Sequence, residues 1–468
     1  MKNNIIKKIE DIIGKKNVLL SSEDKNKYLT EWRNRYPGKA RAVLRPKSTK
    51  EVSLLLKLFH QKNIPVTPQG GNTGLVGGQI TYSSKDFIIS LERMNKLINF
   101  NKVDETIIVQ AGMLLTQIHN ICDENDMLFP LSLASEGSCT IGGNLATNAG
   151  GVGVLYYGNT RDLTLGLEVV LSDGSIINLL KTLKKDNTGY SLKDLFVGSE
   201  GTLGIITAAS LKIFQKPKDK LTFLASTGSP KKALDFLRML QKNTSIPLTS
   251  FEIMNNHSVD IVLRNFGETK LPISKKSNWY ILFEFSSYEK NKNTTESITE
   301  IVNLGIEKKF IIDAVFANSK KQSKEIWNIR ENISEAQRKD GASIKNDISV
   351  PIFAVDEFIK KADLIVSKEI PKAKNITFGH LGDGNIHYNI AQPKKLDKES
   401  FLKLENMLRK KLLSLVVKMD GSFSAEHGIG IARKQDAVKI KGDEIRIMKN
   451  IKKSLDPKNI LNPGKIFD

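Results

Sequence analysis

Cysteine is nearly absent from this chain: 468 residues carry two, Cys122 and Cys139. They lack CxxC spacing, which excludes a zinc ribbon and a dithiol redox pair. Two unspaced thiols fit a reducing cytoplasm, where they serve as small buried apolar groups. Long apolar runs are missing too. No uncharged stretch approaches the ~20 residues that a membrane-spanning helix needs. Met1 to Lys16 read as a short amphipathic helix, and its acidic residues fit neither a signal peptide nor a transit peptide. There is no GxxxxGK[ST], and no GxGxxG after a strand-like run, so P-loop and Rossmann readings lose support. Negative charge is in deficit: 51 Asp and Glu against 71 Lys and Arg give a formal +20. Lysine dominates the excess along the whole chain, so a solvated basic surface is the plain reading. Attraction of acidic substrates or of an anionic membrane face is the sharper one. Nucleic acid is set aside, because no basic patch is interleaved with aromatics.

What is present is glycine, gathered into three tracts in the first half. The length predicts two or three domains. Pro65 to Pro68 lead into Gln69-Gly70-Gly71-Asn72-Thr73-Gly74-Leu75. A second tract runs from Gly137 to Gly158, and a third is Gly198-Ser199-Glu200-Gly201-Thr202-Leu203-Gly204-Ile205-Ile206. Glycine tolerates positive φ and lets backbone approach a ligand closely. Consecutive amides in such turns form anion nests. One tract alone reads as a tight turn, whereas three together read as a cradle for a large phosphate-bearing cofactor. Between them, Leu165 to Leu179 predict a hairpin around Asp173-Gly174. Helix-like segments follow at Pro230–Lys242 and Lys320–Lys339, with strand-like runs at Trp279–Phe285 and Ile311–Phe316.

Half of the six histidines lie near the C-terminus, His380 and His387 in Gly379-His380-Leu381-Gly382-Asp383-Gly384-Asn385-Ile386-His387, and His427 in Glu426-His427-Gly428. Gly382 and Gly384 argue against a helix between the first two. A glycine turn joining two strand ends would bring both imidazoles to one point, with Asp383 as a turn residue. Glu426 would add an oxygen ligand. Two nitrogens and a carboxylate with an open position suit zinc, with manganese or ferrous iron as alternatives. Adjacent side chains on an extended segment point apart, so His427 is better used as a general base than as a further ligand.

The three tracts, in their order and with the closing Asn462-Pro463-Gly464-Lys465, resemble the FAD-binding domain of the vanillyl-alcohol-oxidase flavoprotein superfamily. Within it the chain resembles the FAD-linked D-2-hydroxyacid dehydrogenases, and the resemblance covers nearly its whole length. The fold implied is α+β: a two-subdomain FAD-binding domain, an α+β cap with an antiparallel sheet, and a C-terminal return. The expected boundaries are 1–217, 218–424 with the metal site, and 425–468. The resemblance assigns FAD contacts to Pro68, Gly70, Gly71, Asn72, Thr73, Gly74 and Leu75. It adds Gly137, Thr140, Gly142, Gly143, Asn144, Asn148, Gly150, Gly151, Glu200, Gly201, Gly204, Ile206 and Asn462. Arg161 would pair with cofactor phosphate or a neighbouring carboxylate. Some members tether FAD through a histidine beside the first glycine pair; Asn72 and Thr73 stand there instead, so non-covalent FAD is expected.

In the same family the matching His-x-Gly-Asp-Gly-Asn-x-His and Glu-His motifs supply metal ligands and the catalytic histidine. Here these are His380, His387 and Glu426 as ligands and His427 as base. Arg330 and Ser334, four apart on an expected helix, would hold a substrate carboxylate. They and Lys345 match substrate-binding Arg, Thr and Lys of D-2-hydroxyglutarate dehydrogenases, with Ser for Thr; Asn389 matches a substrate contact. The expectation is metal-assisted oxidation of a D-2-hydroxy acid, D-2-hydroxyglutarate foremost. D-lactate dehydrogenase or a glycolate-oxidase-type subunit is the alternative within the class, and a metallohydrolase with phosphate-binding loops the alternative outside it. Electrons would leave to an external acceptor: quinone, an electron-transfer flavoprotein or a cytochrome. A cytoplasmic location is expected, while a homodimer and contact with the inner face of a membrane stay open.

Overall fold

The computed structural model describes residues 2–289 and 292–467. The chain divides into two units: Met1–Gly151, Gly158–Lys216 and Glu426–Asp468 form the first, Val152–Tyr157 and Pro217–Ala425 the second.

The first unit holds strands β1 (Val18–Leu19), β2 (Ala42–Leu44), β3 (Val66–Gln69), β4 (Phe87–Ser90), β5 (Leu97–Asn101), β6 (Thr106–Gln110), β7 (Met127–Leu128), β8 (Thr164–Val170), β9 (Ile176–Leu179), β10 (Ile205–Lys212) and β11 (Phe214–Gln215). One sheet has the order β1-β2-β4-β3, with β2 and β3 both parallel to β4. Ala42-Val43-Leu44 and Phe87-Ile88-Ile89 are wholly buried, as strands covered on both faces must be. Between β2 and β3 runs the helix Thr49–Lys62, capped by Ser48, whose hydroxyl accepts the Glu51 amide. Its Val52, Leu55, Leu56 and Phe59 are buried at helical spacing, and Phe59 stacks on Phe87 at 5.1 Å. The carboxyl end of β3 therefore opens directly into the first glycine tract, where ligands of parallel sheets bind. The closing segment returns beside it: Leu461 bridges Val66, and the Asn462 amide donates to the Val66 carbonyl at 2.8 Å. A second, antiparallel sheet has the order β5-β6-β10-β8-β9. Its β8–β9 pair turns at Asp173-Gly174, where the alternation places a hairpin.

The second unit is built on one antiparallel sheet of β12 (Asp219–Thr227), β13 (Leu248–Asn255), β14 (Trp279–Ser287), β15 (Asp313–Phe316), β16 (Ser343–Ile344), β17 (Asp347–Ser349), β18 (Lys374–His380) and β19 (Asn385–Ala391). The order is β15-β12-β14-β13-β18-β19-β16, and β17 also pairs with β19. Alternation sends side chains to two cores. Phe223, Phe251, Phe283, Ile386 and Tyr388 pack on one face. Leu224, Met254, Leu282 and Phe378 pack on the other, with Ile326, Ile329 and Ile333 of the covering helices. The helix expected over 320–339 is two, Lys320–Glu331 and Ile333–Asp340. They meet at Asn332, which caps both: its amide donates to the Asn328 carbonyl at 3.1 Å, and its carbonyl accepts the Ala336 amide at 2.8 Å.

Candidate active site

In the first unit the glycine tracts line one cleft. Pro68, Gly70, Gly71, Asn72, Thr73 and Gly74 form one wall. Thr140, Gly142, Gly143 and Asn144 come from the second tract, and Glu200, Gly201, Gly204 and Ile206 from the third. His427 lines it too, along with Gln69, Gln79 and Cys139, which sequence reasoning did not assign to the cofactor. Close backbone approach explains two of the glycines. A Cβ on Gly70 would lie 2.4 Å from the Thr140 hydroxyl, and one on Gly71 would lie 2.0 Å from the Ser138 carbonyl. Asn72 sits at φ +58°, and its amide nitrogen donates to the Lys27 and Thr30 carbonyls, which fixes the loop. Asn72 Oδ1, Thr140 Oγ1 and Asn144 Oδ1 are buried without a hydrogen-bond partner. Buried acceptors of this kind need a donor, and the hydroxyl- and N–H-bearing body of FAD supplies donors of that type. These buried acceptors and the glycine-lined walls fit that group.

Other residues assigned to FAD stand outside the lining of this cleft: Leu75, Gly137, Asn148, Gly150, Gly151, Arg161 and Asn462. Several shape it from behind. Arg161 donates to the Asp194 and Val197 carbonyls at 2.6 and 2.8 Å and lies 3.7 Å from the Asp194 carboxylate. Asn148, at φ +50°, accepts the Arg161 amide through its side chain. Asn462 donates from Nδ2 to the carbonyls of Gly78 and Glu200. The Glu200 carboxylate is itself engaged: it accepts the backbone amides of Ile429 at 2.7 Å and Gly430 at 2.8 Å. Burial pushes its pKa up to about 7, against the lowering effect of those two amides and of Lys465.

In the second unit, β18 and β19 form a hairpin closed by Leu381 to Gly384. The Asn385 amide donates to Asp383 Oδ1, the turn role expected of an aspartate. Register puts His380 opposite Asn385 and His387 opposite Phe378, so both histidines project from the same face. Their ring centroids are 6.0 Å apart, and one ring nitrogen of each lies within 4.8 Å of the other's. Asp347, opposite His387 on β17, has a carboxylate oxygen 3.8 Å from His387 Nδ1.

The residue that organises this face is Glu252, which sequence reasoning missed. It lies on β13 directly across from His380. Its Oε1 is 2.5 Å from His380 Nδ1, and its Oε2 accepts Arg330 Nε–H at 2.7 Å. Burial opposes the charge, but His380 and Arg330 outweigh it, so the Glu252 carboxyl is held below its ordinary range. The Arg330 guanidinium also lies over the Phe378 ring at 4.7 Å. Ser334 is half-buried, one residue into the helix that follows Arg330's. Asn389 is buried, donating to Gln337 and accepting the Asn346 amide. The pairings of β16 and β17 with β19 share one register, which sets Lys345 across from Asn389. Glu426 begins the closing segment of the first unit, next in sequence to Ala425 of the second.

Residues 216–466 match the family "FAD linked oxidases, C-terminal domain", and residues 40–180 match the FAD binding domain. The chain belongs to the FAD-linked oxidases. The resemblance read from the glycine tracts is thereby borne out, FAD is the cofactor of this oxidoreductase, and the fold is the one expected. The chain is 37% identical over 462 residues to mitochondrial D-2-hydroxyglutarate dehydrogenase of Arabidopsis thaliana, covering 98% of this chain and 80% of that protein. It is 34% identical to D-2-hydroxyglutarate dehydrogenase of Xanthomonas citri pv. viticola, over 95% of this chain and 93% of that one. It is 35% identical to a D-2-hydroxyglutarate–pyruvate transhydrogenase of Saccharomyces cerevisiae, over 93% and 88%. Among solved structures, p-cresol methylhydroxylase has the same fold, with a TM-score of 0.77 at 17% identity, over 100% of this chain and 97% of that one. Among the described residues, no helix of this FAD-linked oxidase is long and apolar enough to cross a membrane.

Proposed function

We propose that this FAD-linked oxidase converts D-2-hydroxyglutarate to 2-oxoglutarate with the help of a divalent metal. The observation that carries the reading is the shared face of β18 and β19, which carries two imidazoles and is covered by the helix that bears a buried, oriented arginine. The relatives' names supply the substrate. The glycine-lined cleft would hold FAD without a covalent bond, and the flavin would supply the acceptor for the hydride equivalent on the substrate's α-carbon. A divalent ion at His380, His387 and Glu426, zinc foremost, would lower the pKa of a hydroxyl placed on it.

Two features support that ligand set. The Glu252 hydrogen bond puts the His380 proton on Nδ1 and makes Nε2 the ligating nitrogen, as in carboxylate–histidine–metal arrangements. Ser422 pairs with Ser349 of β17, beside Asn385 of β19. Glu426, four residues further, is tethered within about 14 Å of that point. His427 takes the hydroxyl proton on a ring nitrogen. Arg330 holds a substrate carboxylate with its terminal amino groups, and Ser334, Lys345 and Asn389 receive the rest of the molecule. Lys345 favours a second carboxylate at the far end. Electrons then pass to an external acceptor such as a quinone, an electron-transfer flavoprotein or a cytochrome.

The test is anaerobic titration of the flavin spectrum with D- and L-2-hydroxy acids, with and without chelator. D-2-hydroxyglutarate bleaches the metal-loaded protein, its L-enantiomer does not, and chelation slows bleaching by orders of magnitude. Bleaching by none of the acids would sink the proposal.

A further inference from the structure

Glu252 is wholly buried in the middle of a sheet, where an aliphatic side chain would be the ordinary choice. If it served only to neutralise Arg330, a forked contact to the two terminal amino groups would be the strongest arrangement. The geometry is different. One carboxylate oxygen faces Arg330 Nε, and the other faces His380 Nδ1. Each bond reaches a partner through the nitrogen that points away from its working edge. The Arg330 terminal amino groups make no other hydrogen bond among the described residues. Phe378, two residues before His380 on the same strand face, backs the guanidinium plane. Arg330 and His380 come from a covering helix and a strand end, and 78 and 128 residues separate Glu252 from them along the chain. A single side chain therefore sets the position of both.

We propose that Glu252 is a positioning residue with two outputs: it aims His380 at the metal and Arg330 at the substrate carboxylate. Through it, the spacing between metal and carboxylate recognition is fixed between the sheet and the helix Lys320–Glu331 that covers it. The inference rests on the reading of His380 as a ligand and Arg330 as a clamp.

Glu252→Gln tests it, because a glutamine has one acceptor oxygen and cannot receive both N–H groups. Zinc affinity is measured by competition with a chromogenic chelator after stripping and reloading. It should fall about 10- to 100-fold. In the same protein KM for D-2-hydroxyglutarate should rise at least tenfold, with flavin content retained. A role in folding alone would lower thermal stability and leave the zinc affinity of the folded protein unchanged, and that result overturns the proposal. Should Glu252→Gln not fold, Glu252→Asp keeps the charge but is one methylene too short to reach both partners. It should lose zinc affinity to a similar degree, and parental affinity in it is equally fatal. His380→Ala separates the two levels of the argument. If it leaves zinc affinity intact, the metal site is elsewhere and both readings fall. If it abolishes zinc binding while both Glu252 variants bind normally, only the positioning role is lost.

Discussion

The Glu200 carboxylate accepts the backbone amide of Gly430 at 2.8 Å, across 230 residues of sequence. With the parallel bond from Ile429, this ties the turn after His427 to the third glycine tract. A Cβ on Gly428 would sit 2.8 Å from the same carboxylate, so the turn packs directly on it. The cleft wall and the proposed base are thus parts of one hydrogen-bonded unit.

That bond carries a pH signature. Burial raises the folded-state pKa of Glu200 from an ordinary 4.5 to about 7. A carboxyl that holds its proton more tightly when folded contributes stability fully below pH 4.5, and the contribution is lost as pH rises through about 7. The span corresponds to about 3 kcal/mol. A Glu200→Gln variant should therefore gain on the parent between pH 5 and 7.5. Thermal denaturation of both proteins across that range is the check, and parallel curves would count against it.

Gly71 should tolerate no side chain. Its missing Cβ would come within 2.0 Å of the Ser138 carbonyl, a backbone atom with no rotamer to yield. Gly71→Ala is expected to cost about 1–3 kcal/mol through overpacking. Because the strain lies in the cleft wall, flavin content of the purified variant should fall with it. A variant with a full complement of flavin and the parental melting temperature would show that the wall is more plastic than the packing implies.

How much of this was legible in sequence follows from the range of the interactions. The hairpin of His380 and His387 was legible, because glycines and an Asx turn lie between two alternating runs. The cleft was legible for a similar reason: glycine's permission is local, even when three tracts must meet. Glu252 was not. Its strand, Leu248–Asn255, has a glutamate in an otherwise strand-like run, and that intrusion was the one available signal. Its partner could be found only by knowing that β13 pairs with β18. The break at Asn332 was hidden because no glycine or proline marks it, although asparagine favours caps over helix interiors. Arg161 shows the converse limit: sequence left a cofactor phosphate and a neighbouring carboxylate both open as its partner, and only the fold brings Asp194 beside it.

His427 as the base predicts a loss in turnover rather than in cofactor binding. It lines the cleft through its side of the closing segment, while the first and second tracts supply most of the wall. His427→Asn should keep its flavin and bind D-2-hydroxyglutarate with little change. The rate of flavin reduction should drop about 10²- to 10⁴-fold, the contribution typical of a positioned base. Stopped-flow reduction under anaerobic conditions measures it, and a parental rate would transfer the role to another group.

Lys345 bears on which hydroxy acid is used. The shared register of β16 and β17 with β19 sets it across from Asn389, two residues along β19 from His387. A cation at that distance from the reacting end is of use to a second carboxylate and of little use to a methyl group. Lys345→Ala should therefore reduce kcat/KM for D-2-hydroxyglutarate by about 10- to 100-fold, the loss of one charge-assisted hydrogen bond of roughly 1.5–3 kcal/mol. D-Lactate, which has no distal carboxylate, should lose less than threefold. The ratio of the two specificity constants is the decisive quantity, because a general disturbance of the fold lowers both together. Equal losses would remove the argument for a dicarboxylate and return D-lactate to consideration.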